Sequence, residues 1–230
     1  MIDTASKTPA PGDHSAQAYA GKSDGYFAGV RQDFLELLPR DGQARVLEIG
    51  CGAGETGAAA LAQELCQEYI GVEIAHQAAS VARTRLTEVV EGNVETLDLP
   101  WPDQHFDAVL MSEVLEHLVD PWSVVGRVAA KLKPGALVMA SSPNVAQMSV
   151  LRGLLADRWE LTESGVMDRT HLRWFTQASY RAMFEDAGIR VDSIRPMARP
   201  GPGARAFNLL TFNRLRHLTV RQICIVGHKT

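Results

Sequence analysis

A short apolar run that ends in three closely spaced glycines constrains the fold of this chain more than any other feature. Residues 45–54 read Arg-Val-Leu-Glu-Ile-Gly-Cys-Gly-Ala-Gly, with glycine at positions 50, 52 and 54. A brief apolar run bounded by glycines predicts a buried parallel strand. Glycine is needed where the backbone takes a positive φ or approaches a ligand without an intervening Cβ. Because an alanine-rich helix is expected to begin near Glu55, the stretch predicts the strand–turn–helix corner of a nucleotide-binding α/β fold.

An acidic residue at the end of the next apolar run indicates what this corner binds. Residues 69–72 read as a second strand, and Glu73 follows it, 21 positions after Gly52. A spacing of about 20 residues places a carboxylate at the tip of strand two, where it accepts hydrogen bonds from ribose hydroxyls. The sequence therefore predicts a ligand that carries a ribose.

These residues together resemble the glycine motif of the class I S-adenosylmethionine (SAM) dependent methyltransferases. Glu48, inside the first strand, belongs to that family's pattern and not to the dinucleotide fingerprint. The resemblance covers about residues 19–230. It implies a Rossmann-like, doubly wound α/β fold whose seven-stranded sheet is mostly parallel with an antiparallel last strand. It also implies SAM as the cofactor and S-adenosyl-L-homocysteine as the product.

A nicotinamide-dependent oxidoreductase is the alternative. Gly52, Gly54 and Gly57 also satisfy the spacing G-x-G-x-x-G, which in those enzymes binds a pyrophosphate. SAM carries no phosphate, so its loop needs close backbone approach but no anion site. Glu48 and Glu55, next to the turn, would repel a pyrophosphate, and this favours SAM.

The resemblance implies cofactor contacts from several successive loops. After strand three this chain has Asn93 where the family usually has Asp; its amide oxygen accepts the same bond from adenine, without charge. Ser112 and Glu113 follow strand four at the topological switch point and are expected beside the sulfonium; the alternative for Glu113 is an acid that favours a helix start. The residues expected to contact the cofactor are Tyr26, Glu48, Gly50, Cys51, Gly52, Gly54, Glu73, Ile74, Asn93, Val94, Glu95, Ser112 and Glu113.

The chain is expected to form one domain with a tail and a lid. Residues 1–18 are polar with no apolar signal region and predict a flexible tail, and residues 19–230 form the methyltransferase domain. A helix is expected at 23–38; by the resemblance Tyr19, Tyr26 and Arg31 touch SAM, and packing on the sheet edge is the alternative. Further strands are expected at 86–90, 106–111, 136–140, 189–194 and 221–227, and helices at 55–66, 75–85, 120–132, 176–187 and 207–218.

Residues 145–175 interrupt the alternation of strands and helices. Their apolar residues are too irregularly spaced for a sheet strand. Insertions at strand ends are where acceptor specificity is usually built, so we interpret this segment as a lid over the acceptor pocket. The alternative is a dimerisation surface, which would make the protein a homodimer.

The end of this segment carries the candidate catalytic residues. The run Asp168-Arg-Thr-His171-Leu-Arg173-Trp-Phe-Thr resembles a segment of small-molecule methyltransferases, including quinone-pathway O-methyltransferases. A hydroxyl acceptor must lose its proton, and an imidazole with a pKa near ~6.5 suits that task. We expect His171 to be the base, oriented by Asp168, with Arg173 orienting an acidic acceptor. The alternative is a polar network that fixes the lid.

His117 is the second candidate catalytic residue. Glu113, Glu116 and His117 have the spacing of a stretch that is linked to a divalent cation in ubiquinone-pathway O-methyltransferases. Carboxylates and imidazole are able to hold such an ion. The same residues are widespread in metal-free relatives, so we expect no metal and interpret Glu116 and His117 as residues that cap the loop and line the pocket.

The composition of the chain limits the class of methyl acceptor and indicates the cellular compartment. A net charge of −4 gives no broad basic surface for nucleic acid, and no apolar run approaches the ~20 residues that span a bilayer. Three cysteines without metal spacing suit a reducing cytoplasm. The sequence therefore predicts a cytoplasmic enzyme that methylates a small-molecule hydroxyl, such as that of a glycan, a glycolipid precursor or another metabolite. N- or C-methylation and a SAM-binding protein without transferase activity are the alternatives.

Overall fold

The computed structural model describes residues 29–230, and a seven-stranded sheet forms their centre. The strands follow the order β3-β2-β1-β4-β5-β7-β6, and β7 runs antiparallel to both of its neighbours while the other strands are parallel. This confirms the expected fold class. The strands are β1 (Arg45–Ile49), β2 (Glu68–Glu73), β3 (Glu88–Glu91), β4 (Phe106–Ser112), β5 (Leu132–Pro143), β6 (Ile189–Pro196) and β7 (Gln222–Lys229).

Helices cover both faces of the sheet. Along β1 the side chains alternate, so Leu47 and Ile49 join one buried apolar cluster and Val46 joins the other. Burial on both faces explains why the strands read as continuous apolar runs. The helices are α1 (Gln32–Leu35), α2 (Glu55–Ala62), α3 (His76–Ala82), α4 (Pro121–Lys131), α5 (Met148–Leu155), α6 (Gln177–Asp186) and α7 (Pro202–Leu210). In the described part of the chain, no helix has the length and apolar character that crossing a membrane requires.

Two helices begin at the capping residues that the sequence predicts. Asp120 accepts a hydrogen bond from the Ser123 N–H at 3.1 Å and caps α4, with Pro121 in the first turn. Thr176 and Ser179 form a reciprocal capping box at the start of α6. After α6, Gly188 takes a φ of 73°, the left-handed conformation that ends a helix.

The first expected helix is wrong over the part that the structure describes. Among the described residues 29–38, only Gln32–Leu35 form an α-helix, and it ends before residue 38. The Arg31 N–H donates to the Thr56 hydroxyl at 3.2 Å, and this tertiary bond holds residues 29–31 along the wall of the main cavity. The tail at 1–18, together with Tyr19 and Tyr26, lies outside the described residues.

Other helix and strand ends also differ from expectation. The helix expected at 207–218 is wrong: α7 ends at Leu210 because Phe212 and Asn213 take left-handed φ values of 50° and 58°, and a 3-10 turn follows at Arg216–Thr219. Likewise α2 ends at Ala62, before a left-handed Glu64, rather than at residue 66. The Lys-Pro-Gly turn at 133–135 belongs to the irregular start of β5.

The topology brings distant residues to one edge of the sheet. The strand order reverses between β1 and β4, whose carboxyl ends point to the same edge. That position is where open α/β sheets bind ligands. Because β7 is antiparallel, it begins at this edge, so Gln222 arrives beside the ends of β4 and β5.

Gly71 in β2 gives a test of the packing beneath this edge. A Cβ on Gly71 would lie 2.4 Å from the Cys51 Sγ, too close without a shift of the glycine turn. We expect Gly71→Ala to lower the free energy of unfolding by about 1–3 kcal/mol in urea denaturation, since overpacking a core costs that much.

Two further variants identify the cause. Cys51→Ala should restore part of the stability of the Gly71→Ala protein. Gly126→Ala is the matched control, because a Cβ there meets no atom within 4 Å. A Gly71→Ala protein as stable as the Gly126→Ala protein would contradict this account.

Candidate active site

A cavity of about 460 Å³ opens at the carboxyl ends of the strands. Its walls come from the turn after β1, from the loops after β2, β3 and β4, and from the segment before α1. The 145–175 segment contributes as well. Of the residues expected at the site, Gly54 and Arg173 do not line this cavity, and Tyr19 and Tyr26 lie outside the described residues. All the others line it.

The glycine turn forms the floor of the cavity. Gly50 and Gly52 take φ values of 73° and 56°, a region that side chains disfavour. The N–H groups of Gly50 and Cys51 both approach the Val72 carbonyl, at 2.8 and 3.2 Å, so the turn is fixed against β2. Gly54 also has a left-handed φ but faces away from the cavity; a Cβ there would meet Leu86 at 3.1 Å. Glycine is therefore required at position 54 because the chain there packs closely against Leu86.

Glu73 joins this turn to the end of β2. Its carboxylate accepts hydrogen bonds from the Gly52 N–H at 2.9 Å and from the Ala75 N–H at 2.8 Å. Burial raises the pKa of Glu73, opposed by the bonds from these backbone groups. Each carboxylate oxygen has a second lone pair, so the group is able to accept two more hydrogen bonds from a ligand.

Glu48 lies in the cavity wall behind the glycine turn. It accepts a hydrogen bond from the Tyr69 hydroxyl at 2.8 Å. Burial raises its pKa to about 8, against the opposing effects of the Tyr69 hydrogen bond and of Arg31. Glu48 is therefore mostly a neutral carboxyl at pH 7, so the repulsion of a pyrophosphate that the sequence led us to expect from Glu48 is largely lost.

The Glu48 pKa predicts a pH dependence of stability. The folded protein keeps the Glu48 proton up to about pH 8, whereas the unfolded chain releases it near pH 4.5. The unfolding free energy must therefore fall as pH rises through this window, because the folded state binds the extra proton. In Glu48→Gln, which keeps the Tyr69 partner, we expect a shallower fall, by up to about 1.4 kcal/mol per pH unit.

Urea unfolding of both proteins across this pH range measures the difference. Glu73, Glu113 and Glu116 also have raised pKa values and add to the fall, but they do so in both proteins. The difference between the two curves therefore isolates Glu48. Parallel curves would show that Glu48 is ionised in the folded protein.

The loop after β3 is held by its own side chains. The Asn93 amide oxygen accepts from the Glu95 N–H at 2.9 Å, and Glu95 accepts from the Asp120 N–H at 2.8 Å. These bonds tie the loop to the start of α4. The oxygen expected to contact adenine thus already has one partner and offers a second lone pair.

Arg31 places a guanidinium among the ends of β4 and β5. It donates to the hydroxyls of Ser112 and of Ser141, the latter at 3.0 Å, and pairs with Asp33 at 2.9 Å. Its Nη2 also lies 3.3 Å from the Met197 sulfur. The structure therefore puts a cation in the wall next to Ser112.

Two carboxyl groups follow β4. Glu113 takes a φ of 53°, and Glu116 is buried with both carboxylate oxygens accepting no hydrogen bond from the described residues. Burial raises the pKa of each group, and in Glu116 the neighbouring Glu113 raises it further. Protonation of one of these carboxyl groups relieves their mutual repulsion.

Two histidines contact each other close to the Glu116 carboxyl group. The rings of His117 and His171 contact edge to face with their centroids 4.8 Å apart. Nδ1 of His117 lies 3.2 Å from the Thr170 carbonyl, and Nδ1 of His171 lies 3.1 Å from the Val166 carbonyl. A carbonyl only accepts, so each neutral ring carries its proton on Nδ1 and has Nε2 as the basic nitrogen.

Asp168 fixes the turn that carries His171. Its carboxylate accepts from the N–H and the hydroxyl of Thr170, at 2.9 and 2.7 Å. Its backbone carbonyl accepts from the His171 N–H at 3.0 Å. Arg173, which we expected to orient an acidic acceptor, does not line the cavity. Its Nε donates to the Val119 carbonyl at 3.1 Å and ties the 145–175 segment to the loop after β4.

The donor atoms here suit a metal ion as well as a base. One ligand atom each from Glu116, His117 and His171 lie within 4.8 Å of one another. A buried carboxylate without a described hydrogen-bond partner and two imidazole nitrogens form a donor set for a divalent cation. Glu113, which the sequence motif would include, is not part of this set.

Sequence reasoning gave no role to several residues of the wall, and two of these come from distant parts of the chain. Met197 comes from the loop after β6 and Gln222 from the first residue of β7. Neither belongs to a motif. The signal that indicates Gln222 is topological: an antiparallel last strand must begin where the parallel strands end.

The chain resembles known methyltransferases over most of its length. A family model described as a methyltransferase domain matches residues 23–194. The 27-O-demethylrifamycin SV methyltransferase of Amycolatopsis mediterranei is 28% identical over 81% of this chain and 70% of that protein. A ubiquinone biosynthesis O-methyltransferase of Pseudoalteromonas translucida is 29% identical over 63% of each chain. The crystal structure of a SAM-dependent methyltransferase from Archaeoglobus fulgidus has the same fold, with a TM-score of 0.64 at 21% identity over 90% of this chain and 97% of that one.

Proposed function

Since the chain belongs to the SAM-dependent methyltransferase family, we propose that it transfers the methyl group of SAM to a hydroxyl oxygen of a small molecule. The observation that supports an oxygen acceptor most is the pair of buried imidazoles in the cavity wall, His117 and His171. Transfer to oxygen needs a group that takes the hydroxyl proton, whereas a neutral amine attacks with its own lone pair. The two relatives described above, which methylate oxygen by name, support the same choice.

The cofactor lies along the glycine turn in this proposal. The remaining lone pairs of Glu73 accept hydrogen bonds from the ribose hydroxyls. Asn93 and Val94 face the adenine. Gly50 and Gly52 let the main chain approach the cofactor. At the other end Arg31, in the wall beside Ser112, attracts the methionine carboxylate by its charge, and a hydrogen bond to that carboxylate replaces the Nη2 contact with the Met197 sulfur.

The reaction itself mainly requires alignment. The methyl carbon is already activated by the sulfonium, and positioning the acceptor in line supplies up to ~7–11 kcal/mol of the barrier. His171 accepts the acceptor proton at Nε2, and Asp168 acts as a positioning residue through the Thr170 turn. The 145–175 segment, whose ends meet through the Val145 N–H and the Phe175 carbonyl at 2.9 Å, serves as the lid.

The same side chains could instead bind a divalent cation. Glu116, His117 and His171 would hold it, and a bound cation would lower the pKa of an acceptor hydroxyl as a Lewis acid. In that case His171 could not serve as the base, because its basic nitrogen would be a ligand.

Removing any bound metal distinguishes catalysis by His171 as a base from catalysis by a bound cation. With His171 as base, we expect dialysis against a chelator to leave the rate of S-adenosyl-L-homocysteine release unchanged within about twofold, because imidazole needs no cation to take a proton. Elemental analysis of the dialysed protein confirms that removal was complete. A rate that collapses and returns with Mg²⁺, Mn²⁺ or Zn²⁺ would assign the three residues to a cation.

The function is tested by binding and then by turnover. Calorimetry with SAM and with NAD should show micromolar binding of SAM alone; binding of NAD alone would indicate an oxidoreductase. The protein is then offered phenols, sugar hydroxyls and amines of matched size, and S-adenosyl-L-homocysteine release is measured. We expect turnover with hydroxyl acceptors.

Other outcomes would point to a different function. Turnover with amines alone would indicate an N-methyltransferase, and SAM binding without turnover on a broad panel would favour a binding protein. The cytoplasmic location stays a prediction.

A further inference from the structure

The segment between β6 and β7, residues 197–221, exposes an unusual combination of side chains. Leu209, Leu210 and Phe212 are 76%, 79% and 83% exposed. Helix α7 buries none of its residues. Large apolar side chains that cluster at one exposed place mark a contact site, since scattered ones are ordinary but grouped ones are not.

The same segment is strongly basic. It contains five arginines and no aspartate or glutamate, within a chain whose net charge is −4. Arg205, Arg214 and Arg216 are exposed, and none forms an ion pair with a described residue. The overall charge of the chain therefore conceals a local cationic surface beside the exposed leucines.

The segment is held in place despite its exposure. Asn208 and Thr219 bond through their side chains at 3.2 Å, which joins α7 to the 3-10 turn. The buried Asn144, after β5, donates to the carbonyls of His217 and Val220 at 2.9 and 2.7 Å. These bonds anchor the segment at the sheet edge that carries the cavity, where Met197 is part of the wall.

We propose that residues 197–221 dock the protein onto the surface of an anionic lipid bilayer. Apolar side chains on a short amphipathic helix enter the interface between headgroups and acyl chains, and arginines beside them attract anionic headgroups. A nucleic acid would match the arginines but leave Leu209, Leu210 and Phe212 in water. A lipid surface uses both properties, and docking brings the mouth of the cavity next to the membrane.

Vesicle sedimentation tests this docking. The full-length protein is mixed with vesicles of phosphatidylcholine alone or with added phosphatidylglycerol, at low and at physiological salt. We expect binding to the anionic vesicles at least about tenfold tighter than to the neutral ones, and weaker as salt rises. Equal binding to both vesicles, or binding to neither, would overturn the proposal.

Two variants and a matched control locate the contact. Leu209→Ser/Leu210→Ser/Phe212→Asn removes the apolar groups, and asparagine tolerates the left-handed backbone at 212. Arg205→Gln/Arg214→Gln/Arg216→Gln removes charge alone. Each should weaken anionic-vesicle binding about tenfold or more, whereas Val81→Ser/Arg40→Gln, exposed positions outside the segment, should not. Unchanged binding in both segment variants would refute the assignment.

Association between copies of the chain is distinguished in the same experiments. Sedimentation equilibrium without lipid reports the mass of the wild type and of the apolar variant. A dimer that the apolar variant converts to a monomer, together with absent vesicle binding, would show that the face is a subunit interface and would overturn the proposal. Methyl transfer in solution is independent of this outcome, so failure here leaves the proposed reaction standing.

Discussion

Replacing Glu73 with alanine is expected to weaken SAM binding by at least about a hundredfold. Two hydrogen bonds from the ribose to a charged acceptor are worth about 1.5–3 kcal/mol each, and about 1.4 kcal/mol is tenfold in affinity. The substitution also removes the acceptor of the Gly52 and Ala75 N–H groups, at 2.9 and 2.8 Å. The glycine turn then loses its link to the end of β2, which adds to the loss.

The matched controls separate the ribose contact from the support of the turn. Glu73→Gln keeps an oxygen for one backbone N–H but loses the charge, so its affinity should lie between those of the wild type and the alanine variant. Glu68→Gln, at the opposite end of β2, should bind SAM as the wild type does. Isothermal titration calorimetry measures all four proteins. Wild-type affinity in Glu73→Ala would disprove the location of the cofactor.

The sequence was sufficient where the determinants are local. The strand, the alternating glycines and the carboxylate at the end of β2 lie within residues 45–73, and the structure brings them together as predicted. The caps of α4 and α6 are equally local, because a capping side chain contacts backbone within three residues. The antiparallel last strand was also predicted correctly, but from the family resemblance and not from local sequence.

Errors appear where tertiary contacts override local pattern. The apolar periodicity of residues 23–38 favoured a helix, but the bond from Arg31 to Thr56 joins residues 25 positions apart and holds the chain along the cavity. Residues 207–218 also read as helical, yet α7 ends at Leu210, and Asn144, 73 and 76 positions away, holds the chain beyond it through the His217 and Val220 carbonyls. No sequence window contains these constraints.

The grouping of the candidate catalytic side chains was only partly foreseeable. The motifs that carry His117 and His171 were both recognised, but their contact depends on a hydrogen bond between residues 53 positions apart, from His117 to the Thr170 carbonyl. Glu116 was expected to cap the loop and line the pocket, and it does line the cavity, but its grouping with the two imidazoles follows only from the fold. The local charge was not foreseen either, because the net charge of −4 gives no indication of the basic surface that the arginines of the 197–221 segment form.

Replacing His171 with alanine is expected to lower kcat by about 10²–10⁴-fold, the contribution of a positioned general base. SAM affinity should change little, because His171 faces the acceptor side of the cavity in the proposed arrangement. The pH profile provides a signature that a merely structural role would not. In the wild type, activity should rise with pH as the His171 imidazole loses its proton, and this step should vanish in the variant.

Two further histidine variants make the result specific. His76→Ala, at an exposed position paired with Glu91, should have wild-type activity. His117→Ala should reduce kcat less than His171→Ala does, because its ring supports the His171 ring by edge-to-face contact. If His117→Ala alone abolishes the pH-dependent step, the base is His117 and the roles of the two rings are exchanged. A His171→Ala enzyme with normal kcat and pH profile would leave His171 as a fixed part of the lid.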